Sequence, residues 1–549
     1  MLSRKVKNNN GITLVALVIS IIILLILATI SIQSLTNTGI FRRAQEAKNA
    51  MEKAEAEQAE MLNEYENALN GYYKPTKTLQ ADGSWNSTKK VNSPQLMTGM
   101  TGIYWDEDGN EVEVTPDNQD NWYDYSAQKW ANAITKDSDG NTTAYWVWIP
   151  RYAYQIEKGR YTSEAGPISV KFLQGTSNKD EANLEISQDY PEVTGEKMSA
   201  YVVHPSFTDG SSNGKNNNYM NGEWDKEIAG YWVAKYAAGF QECTQTVSGG
   251  TVTEPTTNIA NIKYSDRYYT SYNSSYTTNA LSQDLSESGY SSQRLSYPVF
   301  KPLTYAYNVI STGDSYTISQ EIAKASSFYG LNSTKTDSHQ MKNSEWGAVA
   351  YLTQSRYGRT GTEVTINSKN LSNLNSKYIY AVTGYENSTA NGVAASSTNN
   401  KTGIFDLSGC IWERTAAYIS NGTTNLNAYG SSYANTTANT NGYLTLSTKY
   451  ATVYPYNSSS DSDTNNYSAY SEKKLTTYGF GDAVLETSTS GSGTTSWNGD
   501  YSNFAHTTRP FFGRGGLCGD SSTAGTFAFS NAISNPHGEG GFRSVLVTK

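Results

Sequence analysis

The chain has 549 residues, enough for two or three domains and a large buried core. Its formal net charge is −9 and its only block of basic residues lies at the N-terminus, so a phosphate-neutralising surface is absent and no nucleic acid partner is expected. Charged residues make up only 17%, whereas Tyr (42) and Gly (45) are abundant, a composition typical both of exported β-rich proteins and of binding surfaces.

Residues 12–32 form an uncharged apolar run that follows a short basic leader ending at Gly11. As an α-helix this run would be about 32 Å long, which matches the hydrocarbon core of a bilayer. The basic residues Arg4, Lys5 and Lys7 predict a cytoplasmic N-terminus and export of the chain after the run. A secretory signal peptide differs, because its apolar core is shorter and its cleavage site follows that core.

The order of basic leader, Gly11 and apolar helix resembles the type IV prepilin family. The resemblance implies a leader over 1–11, cleavage by a prepilin peptidase between Gly11 and Ile12, methylation of Ile12, and packing against the helices of other pilin subunits. Pilins usually carry a glutamate at the fifth mature position, where this chain has Ala16, so a tip or minor subunit is favoured over a repeating shaft subunit. An uncut single-pass anchor is the alternative.

Residues 41–70 continue with apolar side chains at helical spacing and with opposite charges four residues apart, such as Arg42 and Glu46. This pattern predicts a stalk, so that 12–71 forms one pilin-like transmembrane and stalk helix. A surface helix on the following domain fits the same spacing.

Residues 72–140 are predicted to form a β-rich linker region, because short alternating runs are separated by turn residues. Asp-Gly-Asn clusters at 108–110 and 139–141 predict hairpin turns. Both lack the later glutamate of a calcium loop, and the three cysteines and four histidines of the chain are scattered. No metal site and no cofactor are therefore expected.

In the rest of the chain, strands alternate with helical patterns. Residues 145–156 and 230–240 are rich in aromatic and β-branched side chains and predict strands, with Pro150 indicating an edge or a bulge. Residues 319–330 and 343–358 suit amphipathic helices. Residues 420–498 contain few aliphatic side chains, so a long irregular excursion with a few short strands is expected.

Several stretches occur together in one order: GYWVAKYAAGF (230–240), NSEWGAVAYLTQSRYGR (343–359), GIFDLSGCIWERTAAY (403–418), RGG (514–516) and GFRSVLV (541–547). This order resembles the formylglycine-generating enzyme, or sulfatase-modifying-factor, family over roughly residues 146–547. The resemblance implies a compact variant of the C-type lectin fold at 141–549, with a small twisted antiparallel sheet, two helices and much loop. The predicted fold class is therefore α+β: a long N-terminal pilin-type helix followed by a large loop-rich C-type-lectin-like domain.

Oxygen-dependent members of that family use a pair of cysteines just after the Arg-Gly-Gly, whereas this segment contains only Cys518. The chain is therefore predicted not to be an enzyme. A disulfide between Cys410 and Cys518 and two buried free thiols explain the sequence equally well. Scaffold roles are predicted for Trp412 as a core residue and for Arg543 as a buried structural cation; Glu413 is expected to pair with an arginine.

Small polar residues fill the segment between the Arg-Gly-Gly and the terminal Gly-Phe-Arg. C-type lectin domains that display variable residues, including targets of diversity-generating retroelements, carry them at this place, so the resemblance implies a ligand-binding loop here. An exposed loop without a partner is the alternative. The predicted binding residues are Asp520, Ser521, Ser522, Ser530, Asn531, Ser534, Asn535 and His537.

The sequence therefore predicts a bacterial cell-surface, pilin-like protein that presents a lectin-like adhesin domain to a protein or glycan ligand. Before assembly it would span the cytoplasmic membrane once; afterwards it would lie at the cell surface or in a pilus, with the C-terminal domain extracellular. The alternatives are a structural filament subunit with a non-binding head and, third, a residual modifying enzyme.

Overall fold

The computed structural model divides the chain into two compact units, residues 1–78 and 79–549. The structure describes residues 51, 85–86, 89–210, 221–244, 246–248, 251–253 and 297–549, with gaps at 309, 369–380, 386–391, 421–422, 431–447, 458, 470–478 and 536–538. The predicted leader at 1–11 and, apart from residue 51, the predicted helix at 12–71 lie outside the described residues.

The second unit is built mainly from short strands. Their bounds in chain order are β1 (Trp85–Asn86), β2 (Val91–Asn92), β3 (Met100–Trp105), β4 (Glu111–Glu113), β5 (Asn132–Lys136), β6 (Thr142–Pro150), β7 (Tyr152–Ile156), β8 (Ile168–Phe172), β9 (Val193–Thr194), β10 (Lys197–Met198), β11 (Val202–Val203), β12 (Gly230–Ala234), β13 (Gly239–Thr244), β14 (Thr246–Ser248), β15 (Thr251–Thr253), β16 (Thr304–Ala306), β17 (Thr336–Gln340), β18 (Trp412–Ile419), β19 (Thr452–Tyr454), β20 (Phe511–Gly515), β21 (Gly525–Ala532), β22 (Gly540–Phe542) and β23 (Ser544–Thr548).

The described α-helices are short: α1 (Thr312–Glu321), α2 (Ser326–Tyr329), α3 (Asn343–Gln354), α4 (Thr423–Gly430) and α5 (Asp463–Ala469). The helix predicted at 343–358 is confirmed as α3, which begins where the Glu345 carboxylate accepts a hydrogen bond from the Lys342 amide at 2.9 Å. The helix predicted at 319–330 is broken into the end of α1, a 3-10 turn and α2.

A seven-stranded antiparallel sheet has the order β17-β23-β12-β6-β5-β3-β4. The predicted strand at 230–240 supplies β12. The predicted strand at 145–156 is two strands, because β6 ends at Pro150 and β7 continues in a three-stranded sheet ordered β11-β7-β8. The predicted domain boundary at residue 140 falls in the hairpin between β5 and β6, so strands from both sides of it belong to one sheet.

Both predicted hairpin turns are confirmed, and an aspartate closes each. Asp106 accepts a hydrogen bond from the Asn110 amide and Asp137 accepts one from the Asn141 amide, each at 2.8 Å. These amide donors hold the pKa values of both carboxyls below their usual range. The carboxylates thus stabilise the turns that join β3 to β4 and β5 to β6.

A second, five-stranded sheet is organised around β18. Strand β20 pairs with one edge of β18 in antiparallel fashion and carries β21 on its far side. The other edge of β18 is shared by β22 and β19, both parallel to it. The remaining described pairs are β1-β2, β9-β10, β13-β16 and β14-β15.

The core is rich in aromatic side chains. Tryptophans that are almost completely buried include Trp130, Trp146, Trp148, Trp232 and Trp346. Full burial of a large apolar side chain contributes roughly 1.5–3 kcal/mol, so these side chains supply much of the stabilisation that short strands and helices cannot provide alone.

The predicted α+β fold class is wrong. The described part of the chain consists mostly of β-sheets with few short helices, the longest of which is α3 with 12 residues, and it contains no long N-terminal helix. The expected C-type-lectin-like arrangement of one small sheet and two helices is replaced by seven-stranded and five-stranded sheets with several smaller ones. Strands of two or three residues, such as β1, β9 and β19, are too short to show an alternating pattern, and only tertiary pairing reveals them.

Among the helices that the structure describes, none combines the length and hydrophobicity needed to cross a lipid bilayer. The predicted span at 12–32 lies outside the described residues.

Candidate functional site

Part of the predicted binding segment lies on the outer face of the five-stranded sheet. Ser530 on β21 is directly opposite Gly513 on β20, and the next strand carries Trp412 on the same side, because a Cβ atom at Gly513 would lie 3.4 Å from the Trp412 ring. Near Phe511 this face is covered by α1 and α4, whereas Trp412 and Ser530 are only partly buried. The open part of the face is therefore centred on Trp412.

Two neighbouring side chains flank the Trp412 ring. The Asp520 carboxylate lies close to it. The Tyr501 ring meets it edge to face, with ring centroids 6.1 Å apart and planes at 68°. Trp412 was predicted to be a core residue, but the structure leaves it partly exposed. The aromatic ring is held in place before any ligand arrives.

The turn after β20 carries three of the predicted binding residues. The Asp520 carboxylate accepts a hydrogen bond from the Leu517 amide at 2.8 Å, and partial burial raises the pKa of this carboxyl. Ser521 begins a 3-10 turn with a φ of +53°, and both Ser521 and Ser522 are exposed. Asp520 thus links the exposed turn to Trp412.

The second group of predicted binding residues is divided between the two faces of β21 and the loop that follows. Ser530 lies on the outer face, whereas the Asn531 amide is buried and donates to the Phe504 carbonyl at 3.0 Å. Ser534 is buried, and the Thr312 hydroxyl donates to its side chain at 2.5 Å. The Asn535 carbonyl accepts from the Arg414 guanidinium at 2.7 Å. Asn531 and Ser534 therefore support the site from inside the protein.

Three predicted site residues, Gly11, Ile12 and His537, lie outside the described residues.

Beneath the site, the inner face of the sheet carries buried charges. Arg543 pairs with both oxygens of Glu413, at 2.9 Å and 2.5 Å, and also donates to the Ala234 carbonyl at 2.6 Å. This confirms Arg543 as the predicted structural cation, and it shows that the arginine expected to pair with Glu413 is Arg543. The Arg514 guanidinium donates to the Asp482 carbonyl at 2.9 Å, and burial lowers its pKa to about 10. These bonds fix β18 and β20 from below.

The segment at 480–488 belongs to the stretch predicted to be a long irregular excursion, and the sequence does not predict its role in the core. This segment is entirely buried. The Glu486 carboxylate accepts hydrogen bonds from the hydroxyls of Tyr154, Tyr190 and Tyr351. The only signal in the sequence is the short apolar run Ala-Val-Leu just before the glutamate. The contact of Tyr501 with Trp412 was not predicted either, because a single tyrosine in a polar segment does not indicate where its ring will pack.

Cys410 and Cys518 are both buried and free, which is one of the two alternatives that the sequence left open. Their backbones are adjacent, because the Cys518 amide donates to the Cys410 carbonyl at 3.0 Å. Burial raises the pKa of the Cys518 thiol to about 11. In the described residues no cluster of three or more His, Cys, Asp or Glu side chains is arranged to hold a metal ion.

A separate groove of about 1310 Å³ runs beside β8. Its charged side chains are largely paired, for example Lys171 with Asp180 at 2.8 Å and Lys90 with Glu181 at 3.6 Å. None of the predicted site residues lines it. The surface around Trp412 is therefore the better candidate.

No protein-family model matches the chain, and no curated protein matches it either. The resemblances to type IV prepilins and to the formylglycine-generating enzyme family stay predictions.

Proposed function

We propose that this chain is a bacterial cell-surface adhesin, anchored by a pilin-like N-terminal segment, that binds a glycan on the surface around Trp412. The observation that carries the proposal is the partly exposed Trp412 ring, which packs edge to face against Tyr501 and has Asp520 close by and Ser530 on the same face. A flat aromatic face stacks on the apolar face of a sugar ring, while carboxylate and hydroxyl groups beside it accept and donate hydrogen bonds.

The pattern of exposed and buried side chains near Trp412 supports the same proposal. Ser521 and Ser522 are exposed on the turn beside Asp520, and Ser530 is partly exposed on β21, so these three side chains can change without disturbing the buried pairs below. Such an arrangement suits a surface whose specificity varies while its scaffold stays constant. Export, processing after Gly11 and membership of a pilus as a minor or tip subunit belong to this proposal as well.

Binding is tested by probing a glycan array with the full chain and then measuring the affinity for the glycan that binds best. Trp412→Ala is expected to weaken binding at least about tenfold, because truncation of a central aromatic contact removes most of its interaction energy. Tyr456→Ala is the matched control, since Tyr456 is an exposed aromatic residue, 39% accessible, that follows β19 near the end of β18 opposite to Trp412. A blank array, or equal loss in both variants, would contradict the proposal. Binding to a protein array alone would replace the glycan with a protein ligand.

Processing is tested separately, by sequencing the N-terminus of the native protein. The proposal expects a methylated Ile12, whereas a chain that begins at Met1 rules out prepilin cleavage. Gold labels placed along whole filaments, rather than at tips or on the envelope, would favour the structural filament subunit.

A further inference from the structure

Two lysines in the described residues are fully buried, and they differ in what they face. Lys342 has the Glu345 carboxylate at 3.4 Å, so its charge is compensated. Lys235 has no carboxylate within ion-pair distance in the described part of the chain, and 0% of it is exposed. A buried ammonium without a counter-ion is costly, so the environment of Lys235 requires a chemical explanation.

The Lys235 amine faces the carboxamide of Asn132 and the backbone carbonyl of Lys401, and it donates a hydrogen bond to each. The Lys235 Nζ lies 2.7 Å from the Asn132 Oδ1, and Asn132 is 1% exposed. The Asn132 Nδ2 donates to the carbonyls of Trp130 at 2.9 Å and Thr402 at 2.8 Å, which fixes the plane of the amide. The amine and the amide are thus held together in one water-excluded place.

The surroundings of the pair are aromatic. The Trp105 ring centroid lies 4.7 Å from the Lys235 Nζ and the Phe405 centroid 5.6 Å from it. Burial lowers the pKa of Lys235 well below its usual range, which favours the neutral, nucleophilic amine.

A carboxylate lies on the same face of the seven-stranded sheet. Glu111 on β4 is directly opposite Trp105 on β3, and Asn132 is opposite Ile103 two residues earlier on β3, so these side chains share one face. Glu111 also lies close to the Tyr145 hydroxyl, and its charge acts on Lys235. A proton acceptor is therefore available beside the pair.

We propose that Lys235 and Asn132 form an intramolecular isopeptide bond. The Lys235 Nζ attacks the Asn132 side-chain carbonyl carbon, a new C–N bond forms, and the bond from that carbon to Nδ2 breaks. The proton lost by the amine passes through the Glu111 carboxylate to the departing nitrogen, which leaves as ammonia. No oxidant, reductant or other co-reactant is needed.

The bond would connect strands that are not neighbours. Lys235 directly follows β12 and Asn132 begins β5, with β6 between them. A covalent bridge across three strands resists forces that pull the sheet apart, and it converts the buried amine into an uncharged amide.

The test is peptide mapping of the native full chain by mass spectrometry. We expect a peptide containing Lys235 joined to one containing Asn132, with a combined mass lower than their sum by the mass of ammonia, about 17 Da. Only linear peptides at these positions would overturn the proposal. Because this readout uses the unaltered protein, it does not depend on whether a variant folds.

Variants sharpen the result. Asn132→Ala should abolish the linked peptide, whereas Asn92→Ala should keep it, because Asn92 is equally buried but bonds to the Gly175 and Ala229 carbonyls instead of a lysine. Glu111→Gln should lower the linked fraction of freshly made protein, and an unchanged fraction would contradict the proton transfer through Glu111.

Discussion

The two faces of the five-stranded sheet differ in what their side chains contact. On the inner face, Glu413 and Arg514 are fully enclosed and bonded to protein partners. On the outer face, Trp412 and Ser530 lie partly open, close to the exposed turn at 519–522. Neighbours along one strand thus have opposite roles, since successive side chains of a strand point to opposite faces. The scaffold and the proposed recognition surface are separated by the thickness of one sheet.

The largest effect on stability is expected when a buried charged side chain on the inner face is removed. Glu413→Ala leaves the Arg543 guanidinium buried without its carboxylate, which should lower the free energy of unfolding by about 3–5 kcal/mol. Chemical denaturation of the purified protein measures this. Glu107→Ala, at an exposed turn residue, is the control and should change it by less than about 0.5 kcal/mol. A small effect at Glu413 would mean that the inner face does not hold the sheet.

A pH-dependent effect is expected at Asp482, which lies below β20. Burial raises the pKa of this carboxyl from 3.8 to about 7. The folded state therefore holds the proton more tightly than the unfolded state, so the stabilisation is complete below about pH 4 and is lost as the pH rises through 7. Asp482→Asn should remove this dependence, at most about 1.4 kcal/mol per pH unit.

The measurement is the free energy of unfolding at several pH values between 4 and 8 for the wild type and for Asp482→Asn. Asp108→Asn, in an exposed hairpin turn, controls for the loss of a carboxyl as such. Parallel curves for the wild type and Asp482→Asn would show that the buried carboxyl does not titrate in this range.

The smallest expected effect on stability comes from substitutions at two adjacent residues of β21, Asn531 and Ser530. Asn531→Ala leaves the Phe504 carbonyl without its donor and should cost about 1–3 kcal/mol. Ser530→Ala on the outer face should stay within about 0.5 kcal/mol, yet should weaken ligand binding. Thermal unfolding together with binding assays distinguishes them. The comparison fails if both substitutions destabilise equally.

Local signals in the sequence located individual elements well. The Asp-Gly-Asn clusters predicted two hairpins, the aromatic runs predicted β6 and β12, and the amphipathic pattern predicted α3, all of which the structure contains. In each case neighbouring residues decide the conformation. The pairing of Glu413 with an arginine was also anticipated from residue types alone.

Contacts between distant residues were not predictable in this way. The sequence gives no measure of how residues 480–488 pack beneath β20, or of how Tyr501 reaches Trp412, because these contacts depend on tertiary arrangement. The resemblance predicts a single ligand-binding loop, yet the period of two in β21 turns Asn531 inward and Ser530 outward. Without the position of the strand in its sheet, burial of either residue could not be assigned.

Strand β23 lies between β17 and β12, although it is encoded long after both. Until residues 544–548 are available, the seven-stranded sheet has a gap with two unpaired edges, which attract other chains. The sheet therefore closes late, and a product truncated before Ser544 would expose those edges to proteases and aggregation. Only chains that have been translated through this strand can complete the seven-stranded sheet.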